Sequence, residues 1–179
     1  IAVLMQLDVL MVGVFEEPKL VGYYSASAKT ALLVTMVLQS INTLGARQYA
    51  TLFNTGDIVE LQKLLYSLSR WIIWATVAIS SFLLLAGHFV LSLFGENFTQ
   101  AYVGLVILTL GHAITAVLGP VAVLLNVTGN QIITAKVLST AVVIGVVLNS
   151  ILIPFYGING AALATALTTI YWAFTLRRH

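Results

Sequence analysis

Apolar runs of about twenty residues fill most of this chain. Twenty residues of helix rise about 30 Å, the thickness of the hydrocarbon core of a bilayer. Short clusters separate the runs: EEPK at 16–19, FGENF at 94–98, NVTGN at 126–130 and PFYGING at 154–160. Gly, Pro and Asn are turn formers, so these clusters mark reversals of the chain. Only 8% of the residues are charged and 60% are hydrophobic, whereas soluble domains carry about 25% charged residues. That little charge cannot cover a soluble core. The pattern predicts an all-α polytopic membrane protein. A transmembrane β-barrel would need short alternating segments, and the sequence has none.

Six transmembrane helices are expected, forming one bundle over residues 1–179. The first is the run ending at Phe15. Only 15 residues precede Glu16, roughly 22 Å of helix, so it reads as a truncated span of a fragment. The others are expected at about 20–44, 71–94, 101–125, 132–153 and 158–176. The longest connection covers about 45–70. Within it, Asp57 and Glu60 have capping-box spacing. Ile58, Leu61, Leu65 and Leu68 follow at helical intervals, which predicts a short interfacial helix leading into the third span.

Basic residues fall unevenly between the two sides. Arg47, Lys63, Arg70, Lys136, Arg177 and Arg178 share one side, and Lys19 stands on the other beside Glu16, Glu17 and Glu96. The positive-inside rule makes the first side cytoplasmic, including the long loop and the C-terminus.

Two charges lie inside the apolar runs. Asp8 is roughly 12 Å and Lys29 roughly 13 Å from the outer turn, on neighbouring antiparallel helices. A charge at mid-membrane costs roughly 2.5 to 3.5 kcal/mol on insertion scales, so it is kept only where something meets it. Two readings stand. The pair could be a structural salt bridge, or each charge could serve transport.

The second run carries a polar stripe at steps of three, four or seven: Gly22, Ser25, Lys29, Met36, Ser40, Thr43 and Arg47, with Leu33 as another apolar member. Thr35, Gln39 and Asn42 form a second line beside it. A polar face of this length predicts a cavity lining or a polar helix interface. The fourth run aligns His112, Thr115, Gly119, Ala122 and Asn126, with Pro120 as an expected kink or hinge. The sixth run places Gly157, Gly160, Ala161, Ala164, Thr165 and Thr168 on one small-residue face, suited to close helix packing. Tyr171 and Trp172 read as interfacial anchors, and so does His88 at the outer end of the third run.

No catalytic constellation is visible. The sequence has no phosphate-binding glycine loop with Lys and Ser/Thr, no HExxH and no paired-carboxylate spacing. It has no cysteine, and its net charge of +2 gives no reason to expect nucleic acid. No enzyme activity, metal or cofactor is expected. Asn97-Phe98-Thr99 and Asn126-Val127-Thr128 match the glycosylation pattern, a short motif common by chance.

The segment DVLMVGVFEEPKLVGYYSASAKT resembles the start of the second half of oligosaccharide flippases of the multidrug/oligosaccharidyl-lipid/polysaccharide exporter superfamily. FGENF, VAVLLNVTGNQ and LNSILIPFYGINGAALATAL follow in the order such flippases show, so the resemblance runs over nearly the whole chain. It implies a two-bundle transporter in the bacterial inner membrane, with this chain as the C-terminal bundle and a missing N-terminal bundle as partner. The implied substrate is a lipid-linked glycan of the polyprenyl pyrophosphate type, flipped by alternating access within membrane lipid. Lys29 and Arg47 are the positions it would make anion contacts, with Asp8 as a counter-ion or proton site. The full expected cavity set is Asp8, Ser25, Lys29, Gln39, Asn42, Arg47, His112 and Asn126. A multidrug/cation antiporter of the same superfamily and a non-transporting membrane scaffold are the alternatives.

Overall fold

The computed structural model describes residues 2–178, with side chains from Leu7 onward. The described residues are all-helical, with no strand. Helix α1 spans Ala2–Phe15, α2 Pro18–Asn54 and α3 Ile58–Ser92. A 3-10 segment, Glu96–Ala101, leads into α4 at Tyr102–Val117. Helix α5 is short, Val121–Val127, and α6 runs over Gln131–Arg177.

Local chemistry explains the starts and stops. Glu17 is extended and Pro18 opens α2, where its fixed φ suits the first turn and its missing N–H would be unpaired anyway. Asp57 caps α3 by accepting a 3.0 Å hydrogen bond from the Glu60 backbone. Only this half of the expected capping box forms. The Glu60 side chain turns to Lys63 at 3.3 Å.

The expected long connection over 45–70 does not exist. Helix α2 continues to Asn54, and α3 is one continuous helix from Ile58. The interfacial helix is thus the first part of α3. Nothing between Leu44 and Asn54 breaks a helix except Gly45, and that glycine is covered by the Tyr49 ring. Leu61, Ile72, Thr76, Ser80 and Leu83 form one buried face of α3; of the expected interfacial stripe Leu61 is buried, Leu65 and Leu68 are half-buried and Ile58 is exposed.

The expected kink at Pro120 is a full break. Helix α4 ends at Val117, Gly119 takes φ 88°, and α5 starts at Val121. A left-handed glycine ends the helical ladder, and the following proline has no N–H with which to resume it. The reversal at Gly157 is tighter than the PFYGING cluster implied. Pro154 stays helical, and only Gly157 leaves the helical region, at φ 57° and ψ −139°. That single residue folds α6 into two antiparallel arms, 131–156 and 158–177. Val137 and Ala141 of the first arm share a core cluster with Trp172, Ala173 and Leu176 of the second.

The second arm is the axis of the packing. Ala161, Ala162 and Ala164 are completely buried. Its small-residue face reaches further round the helix than Gly160, Ala161, Ala164, Thr165 and Thr168 alone. Ala162 meets Gly104 of α4, and a methyl on Gly111 would sit 2.6 Å from the Ala166 Cβ. Outside, the bundle is apolar: Leu10, Val14, Trp74, Phe82, Leu85 and Phe155 are exposed. Inside it are Ser27, Thr76, Thr109, His112 and Asn149. Exposed bulk apolar side chains around a polar-seeded core suit lipid better than water.

Among the described residues three segments are long and apolar enough to cross a membrane: Ile58–Ser92, Glu96–Val117 and Gln131–Arg177. They give the chain the character of a membrane protein. Helix α2 is long enough at 37 residues, and its charged and polar stripes keep it out of that set.

The close backbone contacts make a testable distinction. Gly160→Ala would drive a methyl into the Leu152 carbonyl across the reversal, and Gly111→Ala would press on Ala166. Each is expected to destabilise the bundle by about 1–3 kcal/mol or more, as overpacking does. Gly22→Ala meets no atom within 4 Å and should be neutral or slightly stabilising in its helix. Thermal or detergent unfolding in micelles measures the order of the three variants.

Candidate functional site

Helix α2 carries its two polar lines to different places. The line of Thr35, Gln39 and Asn42 turns inward to a cavity of about 480 Å³, closed by His112, Thr115 and Pro120 from the α4–α5 region and by Trp172 from α6. The line of Lys29, Leu33, Met36, Ser40, Thr43 and Arg47 is exposed. Two of its members still border cavities: Thr43 this one, and Lys29 a smaller one.

A second cavity, of about 230 Å³, lies nearer the turn between α1 and α2. Asp8, Ser25, Lys29, His112 and Thr165 are among its lining residues. His112 therefore lines both cavities. It is 3% exposed. The expected cavity set thus divides in three. Asp8, Ser25 and Lys29 line the smaller cavity, Gln39 and Asn42 the larger, and His112 joins them. Arg47 and Asn126 are exposed and line neither. Pro120, at the helix break, lines the larger one.

Asp8 is the most tightly held polar group. Its Oδ2 accepts hydrogen bonds from the Tyr24 hydroxyl at 2.7 Å and the Thr165 hydroxyl at 2.8 Å. Its Oδ1 accepts from the Val9 backbone at 2.7 Å. Asp8 is 2% exposed and Tyr24 completely buried. One carboxylate thus ties α1 to α2 and to the second arm of α6. Hydrogen bonds to an ionised group are the strong ones, and these are short.

The expected Asp8–Lys29 salt bridge is absent. Among the described residues the only ion pair within 4.0 Å is Lys63–Glu60. The cause is geometric. Tyr24 occupies the α2 face that looks at Asp8, and Lys29, five residues on, lies about 140° further round the helix. Lys29 borders the small cavity and is exposed there.

Tyr24 and Thr165 were not in the expected site. Thr165 stood only in the packing face. A signal for Tyr24 was present nonetheless. Counting equal distances back from the turn at Glu16 and Glu17 places residue 24 or 25 opposite residue 8. Trp172 is a further difference. It is 9% exposed and lines the larger cavity, so it is no interfacial anchor. The second arm packs into the bundle at that level, which draws the indole inward. His88 is exposed and stacks on Tyr102, with ring centroids 3.9 Å apart.

The chemistry on offer is mixed. Lys29 supplies a cation to the cavity that Ser25 also lines. Gln39 and Asn42 supply amides that both donate and accept, and Thr35 and Thr115 supply hydroxyls. Such groups suit a hydroxyl-rich ligand carrying negative charge. No family model matches the chain, and no curated protein or solved structure matches it either.

The Asp8 tie predicts coupled stability effects. Tyr24→Phe and Thr165→Val each remove one donor from a buried carboxylate, a loss of about 1.5–3 kcal/mol for a hydrogen bond to a charged group. Their double mutant should depart from additivity, because both donors serve the same oxygen. Ser25→Ala, with no recorded hydrogen bond, should stay within about 0.5 kcal/mol of the parent. Unfolding of the four proteins in one detergent measures the cycle.

Proposed function

We propose that this chain is one six-helix bundle of a two-bundle transporter that flips a lipid-linked oligosaccharide across the bacterial inner membrane by alternating access. The observation that carries the reading is Lys29. Its ammonium lines a cavity and has no acidic group within 4.0 Å among the described residues, while the one carboxylate beside it is occupied by Tyr24, Thr165 and Val9. A cation kept free in such a place is suited to a pyrophosphate or an acidic sugar.

In this reading α1, α2, α3, the Glu96–Val117 segment and the two arms of α6 each cross the bilayer. The α2–α3 turn and the C-terminus lie on the cytoplasmic side, with the excess of Lys and Arg. The exposed stripe of α2 faces the second bundle across the translocation path. Gln39, Asn42 and His112 bind glycan hydroxyls below Lys29. Asp8 acts through Tyr24 and Thr165 as the anchor of α1, not as the counter-ion of Lys29. The superfamily resemblance over four ordered segments supports the glycan as substrate.

A second reading keeps one observation in its favour. Asp8 is a carboxylate that lines the same small cavity, as a multidrug/cation antiporter would require. The two readings predict opposite residue dependence.

Lys29→Ala in the full-length protein should lower glycan export in a flippase-deficient host by about tenfold or more, the effect of about 1.4 kcal/mol at the rate-limiting step. Lys29→Arg should retain most of it. Export unchanged in Lys29→Ala would overturn the anion role. Drug efflux that is lost in Asp8→Asn and kept in Lys29→Ala would select the antiporter. The chain has no cysteine, so Lys29→Cys gives a clean accessibility probe. A membrane-impermeant thiol reagent should label it, and no labelling from either side would leave the scaffold reading.

A further inference from the structure

Helix α3 changes character abruptly at residues 70 and 71. From Trp71 to Ser92 it has no Asp, Glu, Lys or Arg. Its outward face there carries Trp71, Trp74, Val77, Phe82, Leu85 and Phe89, all exposed. These 22 residues rise about 33 Å, one hydrocarbon thickness. On the N-terminal side of Trp71 the outward face carries Gln62, Lys63, Tyr66, Ser67 and Arg70, around a shallow groove of about 590 Å³. They recur at steps of three and four, so they form one stripe.

The apolar length sets the depth of this stripe. If Trp71 marks the edge of the hydrocarbon, Arg70 stands among the headgroups. Tyr66 and Lys63 then lie about 6 and 10 Å further out along the axis, and a lysine stem reaches back toward the surface. We propose that this groove binds the headgroup of an anionic phospholipid, with its acyl chains lying along the apolar face of α3 beyond Trp71.

Each part of the stripe has a use there. The Arg70 guanidinium presents a planar fork to phosphate oxygens, and Lys63 adds a second positive charge. Gln62 and Ser67 are neutral donors on the same stripe. Tyr66 and Trp71, 78% and 68% exposed, have the amphipathic rings found at headgroup level. Two acidic groups lie nearby. Asp57 is held by the Glu60 backbone at the helix cap. Glu60 pairs with Lys63 at 3.3 Å, both side chains being more than half exposed, and such a surface pair is weak enough to yield to a phosphate. Arg70 has no acid within 4.0 Å among the described residues. A lipid is favoured over a free anion because the groove continues directly into the apolar face of the same helix.

The site lies on a different helix from the α2 cavities, so it does not depend on the transport reading. The chain has three tryptophans. Trp74→Phe with Trp172→Phe leaves Trp71 as the sole reporter in the full chain, reconstituted in phosphatidylcholine vesicles. Brominated phosphatidylglycerol should quench Trp71 with an association constant about fivefold above that of brominated phosphatidylcholine at equal mole fraction, about 1 kcal/mol. Lys63→Gln with Arg70→Gln should bring the ratio to about one, and Lys136→Gln should leave it unchanged. Equal quenching in the parent, or a preference that survives the double substitution, would overturn the proposal. Displacement of the lipid by millimolar inorganic phosphate would overturn it in favour of a free-anion site. With all three tryptophans intact, native mass spectrometry should show fewer retained phosphatidylglycerol molecules on the Lys63→Gln/Arg70→Gln protein. An equal number would count against the site.

Discussion

A carboxylate in an apolar bundle must have its oxygens met, and the way Asp8 is met organises this fold. Its two oxygens take three short hydrogen bonds, from the α1 backbone, from Tyr24 and from Thr165. Those donors belong to three different helices. The register of α1 against α2, and of both against the second arm of α6, is thereby held at one level. An apolar contact there would tolerate sliding by a turn. A buried charge does not, because each displaced donor leaves an oxygen unpaired.

The tie is possible only because the helices come close. Thr165 reaches Asp8 from an arm whose neighbours are alanines and threonines, and whose other side rests on Gly104 and Gly111 of α4. Water cannot be expelled from between helices in lipid as it is from a soluble core, so dispersion at short range carries more of the packing. Small residues supply that range. Gly157 supplies the reversal that lets the two arms of α6 lie against each other. Small size and polarity are thus combined in one helix, and the same face both packs the bundle and anchors its charge.

Much of this was legible in the sequence. The apolar runs and the turn clusters located five of the six expected reversals or breaks within a few residues, because hydrophobic length and Gly-Pro chemistry are local properties. The 45–70 connection was misjudged for a physical reason. Polar residues were read as a loop, yet only residues 55–57, with Gly56 at φ 74°, break the helix, and Leu61 with Ile72 had a buried face to fill. The candidate cavity was half legible. The polar lines of α2 could be drawn from spacing alone, and Gln39, Asn42 and His112 do converge. Which line turns inward depends on the rotation of α2 about its axis, which Tyr24 decides by seeking Asp8. That is a tertiary fact. It also explains why the two opposite charges share a cavity without forming a pair.

The rotation has a further consequence. Once Tyr24 faces Asp8, the stripe from Lys29 to Arg47 is left exposed, even where Lys29 and Thr43 border the cavities. On the proposed reading that α2 crosses the bilayer, two charges with Ser40 and Thr43 would then lie against lipid, at a cost of roughly 2.5 to 3.5 kcal/mol for each charge near the centre. Lipid is therefore the wrong neighbour for this face. Water in a cavity or a polar surface on a second bundle would remove the cost, and an alternating-access transporter supplies each in turn. The outer face of α3 meets the opposite condition. From Trp71 to Ser92, long enough for one hydrocarbon thickness, it has no charged residue, and it is basic only before Trp71. The two helices thus present contrasting faces: α3 an apolar one over residues 71–92 and, on the proposed reading, α2 one that lipid cannot replace.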